Sequence, residues 1–194
     1  VFPKVDRATL SNGLKLAVVS RSTIPVVDFD LIFDAGYASD QPELAGKASM
    51  AMAMLDEGAG KLDALEISDQ LALLGAQIGT GVSLDTASVS LSALSENLNE
   101  SLELFGAIVL EPSFPDEELE RMRSQYLTLI EQEKSTPTNM ALRLLPGLLY
   151  GDDHAYSQPL TGSGTEASIK ALTRMNLVDW HTTWFRPNNA TLVV

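Results

Sequence analysis

The side chains that carry most hydrolytic and metal chemistry are scarce in this sequence. His154 and His181 are its only histidines, and it has no cysteine. Neither histidine has a second one three to five residues away, so no paired zinc-histidine motif is present. The lack of cysteine removes thiolate nucleophiles, disulfides and Cys-based zinc sites, and it fits either redox environment. His154 stands in the polar stretch "GDDHAYS" beside Asp152 and Asp153. A weak cation site is conceivable there, but a solvated loop histidine accounts for the residues with nothing added. His181 lies between Trp180 and Trp184 on a predicted helix, where the aromatic pair is expected to anchor the helix to a sheet. Serines are plentiful, yet no G-x-S-x-G elbow occurs.

Other chemistry-like patterns also have plain structural readings. "GTG" at 79–81 and "TGSGT" at 161–165 match neither a P-loop nor a dinucleotide fingerprint and read as turn or bulge glycines. The acidic run 116–120 reads as the solvated start of a helix. "GKASMAMAMLDEG" sets Met50, Met52 and Met54 at every second position, but side chains two apart on a helix point about 200° from each other. The three thioethers therefore cannot converge on one ion. A helix apolar on all sides belongs inside a domain, or between a domain and a partner.

Several elements must position these residues. "ATLSNGLKLAVVS" predicts a hairpin with a two-residue turn at Asn12-Gly13, and Val27, Phe29, Leu31 and Phe33 alternate as in a half-buried strand. The methionine helix is expected to close at Gly58, and Asp63 with Glu66 forms a capping box for a helix ending at Gly75. After two alternating runs in 76–94, Ser95 is expected to cap a helix burying Leu98, Leu102, Phe105, Val109 and Leu110. Pro115 suits the first position of a long helix, and Thr136-Pro137 opens another that Pro146 should end or kink. "TEASIKAL", a helix capped by Thr173 and the strand "NNATLVV" complete the chain. Four or five helices among hairpin-linked strands predict an α+β fold, a two-layer sandwich with helices covering a largely antiparallel sheet.

Composition narrows the function. The 194 residues suit one domain, and 45% hydrophobic with 20% charged residues describes an ordinary folded chain. No run approaches the roughly 18 apolar residues of a membrane helix. The net charge of −13 repels phosphate backbones and anionic headgroups, which argues against nucleic acid and bare membrane as partners. The chain opens without an export-signal pattern and breaks off in a strand, so residues 1–194 are expected to be one domain of a longer protein whose C-terminal partner domain or domains lie outside it.

The blocks "NGLKLAVV", "FDAGYASDQPELAGKASMAMAMLDEG", "LGAQIGTGVSLDTASVSLSAL", "LELFGAIVLEPSFPDEELERMR", "YGDDHAYSQPLTGS" and "FRPNNATLVV", in that order, resemble the N-terminal domain of the pitrilysin and insulinase metallopeptidases. These are the inverzincins, a group that includes the mitochondrial processing peptidases. The first helix of that family bears H-x-x-E-H, two zinc ligands around a general-base glutamate. Aligned on Gly46 and Ala48, the resemblance sets Ser49 and Ala53 at the two histidines and Met52 at the glutamate. The third ligand, a glutamate on a later helix, falls on Leu129 or Ile130, with Glu131 rotated off the site by about 100° per residue.

The resemblance thus implies a zinc-less homologue with no metal or cofactor of its own, zinc being expected in an active partner subunit. It further implies that the domain supplies chamber wall and peptide contacts, an extended peptide adding to an edge strand at Ala76, Gln77, Ile78, Gly79 and Thr80. The same residues also read as an ordinary strand. Two other readings stay open: an assembly subunit without substrate contact, and a peptidase acting through an unrelated site. Localisation is not fixed by the sequence, although bacterial members of the family make a periplasmic site reasonable.

Overall fold

The computed structural model describes residues 3–21, 23–151 and 154–194. Among the described residues the strands are β1 (Asp6–Thr9), β2 (Lys15–Val18), β3 (Val26–Phe33), β4 (Gly58–Ala59), β5 (Leu62–Asp63), β6 (Gln77–Val82), β7 (Ala87–Leu94) and β8 (Ala190–Val193). The described residues form seven α-helices rather than four or five: α1 (Lys47–Ala53), α2 (Ala64–Leu74), α3 (Leu98–Leu110), α4 (Asp116–Ser135), α5 (Pro137–Tyr150), α6 (Glu166–Ala171) and α7 (Arg174–Trp184). Six strands make one sheet in the order β1-β2-β8-β3-β7-β6, antiparallel except between β2 and β8; β4 and β5 form a small separate hairpin. No helix among the described residues is long and apolar enough to cross a membrane.

The strand alternation divides the sheet into two faces. Leu31 and Phe33 of β3 and Ala87, Val89, Leu91 and Ala93 of β7 are buried in the core beneath the helices. Asp28, Asp30, Ser88, Ser90 and Ser92 line a shallow hollow elsewhere, as the period of two requires for a sheet covered on one side. This is the two-layer α+β sandwich expected from the sequence.

Several local expectations are corrected. Thr9 pairs with Lys15 and the Leu10 N–H donates to the Leu14 carbonyl (2.8 Å), so the first hairpin has a three-residue connection, Ser11 to Gly13, rather than a two-residue turn; Asn12 Oδ1 accepts from the Leu14 N–H (3.1 Å). The methionine helix ends at Ala53, and Gly58 is not its cap but belongs to β4. A Cβ on Gly58 would come within 2.5 Å of Ser113 Oγ, so the glycine serves close packing of two segments. Ser95 starts a 3-10 turn instead of capping α3, and Leu110, expected inside, is 70% exposed. Pro115 precedes α4 as its N-cap, within the usual spread of helix boundaries.

Pro146 neither ends nor breaks its helix, which continues to Tyr150. A proline deprives the carbonyl four residues earlier of its helical donor. Here that carbonyl, of Leu142, accepts from the Leu160 N–H instead (3.0 Å). The capping boxes at Asp63/Glu66 and the Thr173 cap of α7 form as the sequence predicts.

Candidate functional site

The α1 helix is the centre of the region that the resemblance singles out. It is short, and Ala48, Ser49, Met50, Ala51 and Met52 are buried where it packs on α7 and β6. Met50, Met52 and Met54 are each at most 1% exposed, so the methionines fill the core on several sides of the helix. Ser49 is also buried, while Ala53 is only partly covered.

Asp40 reaches over the front of α1. Its carboxylate accepts from the N–H groups of Gly46 (3.0 Å) and Ala48 (3.2 Å), satisfying donors that the first turn leaves without partners. Burial pushes the Asp40 carboxyl up from 3.8 to about 7; the N–H bonds and the Lys47 charge pull the other way without prevailing. The native state therefore holds a proton that the unfolded chain has released between about pH 4 and pH 7. The Asp40 contribution to stability is full below that window and lost as pH rises through it, by up to about 4 kcal/mol. Urea denaturation of wild type and Asp40→Asn should accordingly show the difference between them shifting in favour of the variant from pH 4.5 to pH 7.5. A difference independent of pH would contradict this account.

Leu129 and Ile130 occupy different surroundings on α4: Ile130 is fully buried, Leu129 is 42% exposed, and Glu131 is exposed and ion-paired with Lys134 (3.1 Å). The residues that the resemblance sets at the zinc-ligand positions thus offer a hydroxyl, a methyl and an alkyl chain, and the one at the general-base position a thioether. That donor set does not suit Zn²⁺, which takes thiolate, imidazole or carboxylate. No H-x-x-E-H run occurs in the sequence, and no group of three His, Cys, Asp or Glu among the described residues is placed to hold a metal ion.

The histidines are occupied structurally. His181 Nε2–H donates to the Val109 carbonyl (2.8 Å), its ring lies against Phe185 and Phe114, and burial lowers its pKa, which keeps it neutral. His154 Nδ1 accepts from the Tyr156 N–H (3.0 Å) and the ring stacks on Tyr150. The acidic neighbours Asp152 and Asp153 lie outside the described residues.

Sequence reasoning missed the most polar buried cluster. Glu133 of α4 and Arg143 of α5, both buried side chains, form an ion pair at 2.6 Å. Ser163 Oγ accepts from Arg143 Nη1 (2.7 Å) and donates to Glu133 Oε2 (2.7 Å), while Arg143 Nη2 donates to the Gly164 carbonyl (2.6 Å). Thr161 Oγ1 adds a longer bond to the same carboxylate (3.3 Å). The cluster ties the loop "TGSGT" to two helices. Gly164 sits at φ +71°, and a Cβ there would run into the Ala45 carbonyl, so only glycine fits between this loop and the front of α1.

Gln77, Ile78, Gly79 and Thr80 lie in β6, at one end of the strand order, whereas Ala76 precedes the strand and spends its N–H on the Leu71 carbonyl (3.0 Å).

A largely antiparallel sheet under helices, with a short buried helix packed against β6, makes this a two-layer α+β domain. The chain belongs to the insulinase family of peptidases, family M16, whose pattern matches residues 15–162. It is similar to the crystal structure of a peptidase M16 inactive domain from Pseudomonas fluorescens, with 31% identity and a TM-score of 0.93 over 98% of this chain and 46% of that one. Similarity extends to an uncharacterized zinc protease, YmxG, of Bacillus subtilis (20% identity, 98% of this chain, 46% of the relative). The beta subunit of the rat mitochondrial-processing peptidase is 24% identical over 95% of this chain and 37% of its own length. The chain therefore spans less than half the length of these relatives.

Proposed function

We propose that this chain is one domain of a zinc-less insulinase-family protein that works beside an active zinc peptidase subunit, supplying wall and peptide contacts rather than chemistry. The observation that carries the reading is the apolar filling of α1. Met52, at the position the resemblance gives to the general base, is sealed in the core, and Ser49 and Ala53 bring no metal donors to replace a histidine pair. The similarity to an M16 inactive domain supports it. An unpaired His-Glu-His set in such surroundings would cost roughly 1 to 3 kcal/mol per group, which Ser, Met and Ala avoid.

The β6 edge supplies backbone groups for an extended peptide, and α5 exposes Leu144, Leu145, Leu148 and Leu149 as a surface of the kind a companion domain or subunit covers. That apolar face equally favours the assembly reading, in which the domain touches no substrate.

Purified chain should contain far less than one zinc per molecule by emission spectroscopy and cleave no unstructured peptide. Mixed with an insulinase-family subunit that retains H-x-x-E-H, it should raise that subunit's peptide cleavage and show slowed amide exchange across Gln77 to Thr80 when peptide is present. Stoichiometric zinc or intrinsic cleavage would overturn the zinc-less reading. Co-purification without activation or exchange protection would select the assembly role.

A further inference from the structure

The α2 and α3 helices lie side by side and run antiparallel. Asn97, ahead of α3, donates from Nδ2 to the Leu74 carbonyl at the end of α2 (2.9 Å), and Gly60, ahead of α2, donates its N–H to the Glu111 carbonyl just past α3 (2.8 Å). Between the helices runs an open groove of about 440 Å³, walled by Leu62, Leu73, Leu74, Leu104 and Ala107. Leu73 is 84% exposed there. The lined stretch of α3 from Glu100 to Ala107, at 1.5 Å per residue, makes the groove about 10 Å long, room for two turns of another helix.

The charged side chains that line the groove have one sign. Glu100 and Glu103 line the groove, α2 adds Glu66 and Asp69, and neither helix contains a lysine or arginine. Glu66 is engaged by the Asp63 N–H in the capping box, whereas Asp69, Glu100 and Glu103 enter no ion pair among the described residues. Two helices present no open backbone edge, so an extended strand has nothing to pair with; recognition there must come from side chains.

We propose that this groove docks a cationic amphipathic helix of a partner protein. The partner's leucine-type residues at i, i+3, i+4 and i+7 fill the channel between Leu73 and Leu104, and its lysines or arginines flank Glu100 and Glu103. The inference rests on the groove alone and stands whether or not the domain lacks zinc.

The test is fluorescence anisotropy of a labelled 14-residue Leu/Lys peptide with that spacing, titrated with the 194-residue chain at low salt and at 0.15 M. The double variant Glu100→Lys/Glu103→Lys should weaken binding at least tenfold and Leu73→Ser severalfold. Glu43→Lys/Glu117→Lys makes the same change in net charge at exposed sites away from the groove and should stay within twofold of wild type. A peptide of identical composition in scrambled order should bind at least tenfold more weakly. All four positions reversed in charge are exposed, so each variant should keep the wild-type circular dichroism spectrum. Equal binding of the scrambled peptide, or equal weakening by the remote double variant, would overturn the proposal, because it would reduce the attraction to overall charge.

Discussion

Met52→Glu should lower the unfolding free energy by about 3 to 5 kcal/mol at neutral pH, measured by urea denaturation, while Met52→Leu costs less than about 1.5 kcal/mol. The wild-type side chain is 1% exposed, and α1 is pressed between α7 and β6, so a carboxylate there leaves water without gaining a cation. Such a group takes up a proton more readily than in water, so the deficit of the variant should shrink as pH falls. A loss below about 1 kcal/mol would mean that the position opens to solvent. It would also remove the main physical support for reading α1 as a sealed former site, since an unpaired polar set would then be tolerated without metal.

Arg143→Ala is expected to cost a similar 3 to 5 kcal/mol, because it leaves the Glu133 carboxylate buried beside two hydroxyls and no positive charge. The loop carrying Ser163 and Gly164 also loses two bonds to the guanidinium. Removing both charges together, in Arg143→Met/Glu133→Gln, should recover much of the loss, since neither partner is then stranded. Additive losses in the double variant would show that the two residues act separately, contrary to their geometry.

Local signals in the sequence carried far. Asp63 with Glu66 and Thr173 announced helix starts that form as read, because a cap is made by residues within three positions of one another. The alternation in 27–33 gave the buried face of β3 for the same reason. What escaped were features settled by distant partners. Pro146 stays inside a helix because Leu160 supplies the Leu142 carbonyl with another donor, and nothing near Pro146 in the sequence shows this. The methionine helix stops at Ala53 rather than at Gly58, which instead belongs to the β4-β5 hairpin and packs against Ser113. Glu133 carries no local signal of burial, and only the pairing of α4 with α5 brings Arg143 to it. For the candidate site, the absence of paired histidines and the burial of a helix apolar on all sides were plain from the residues, while its packing partners α7 and β6, drawn from both halves of the chain, were not.

The strand order has a consequence for how the molecule is assembled as it is made. The front hairpin, β1 and β2, joins the sheet only through β8, which is the last of the described strands to be synthesised. During translation β3, β7 and β6 can pair as soon as they emerge, but the β1-β2 hairpin, although its strands pair with each other, must wait for residues 190–193 to bridge it to the sheet. Completion of the sheet is thus deferred to the moment when β8 leaves the ribosome.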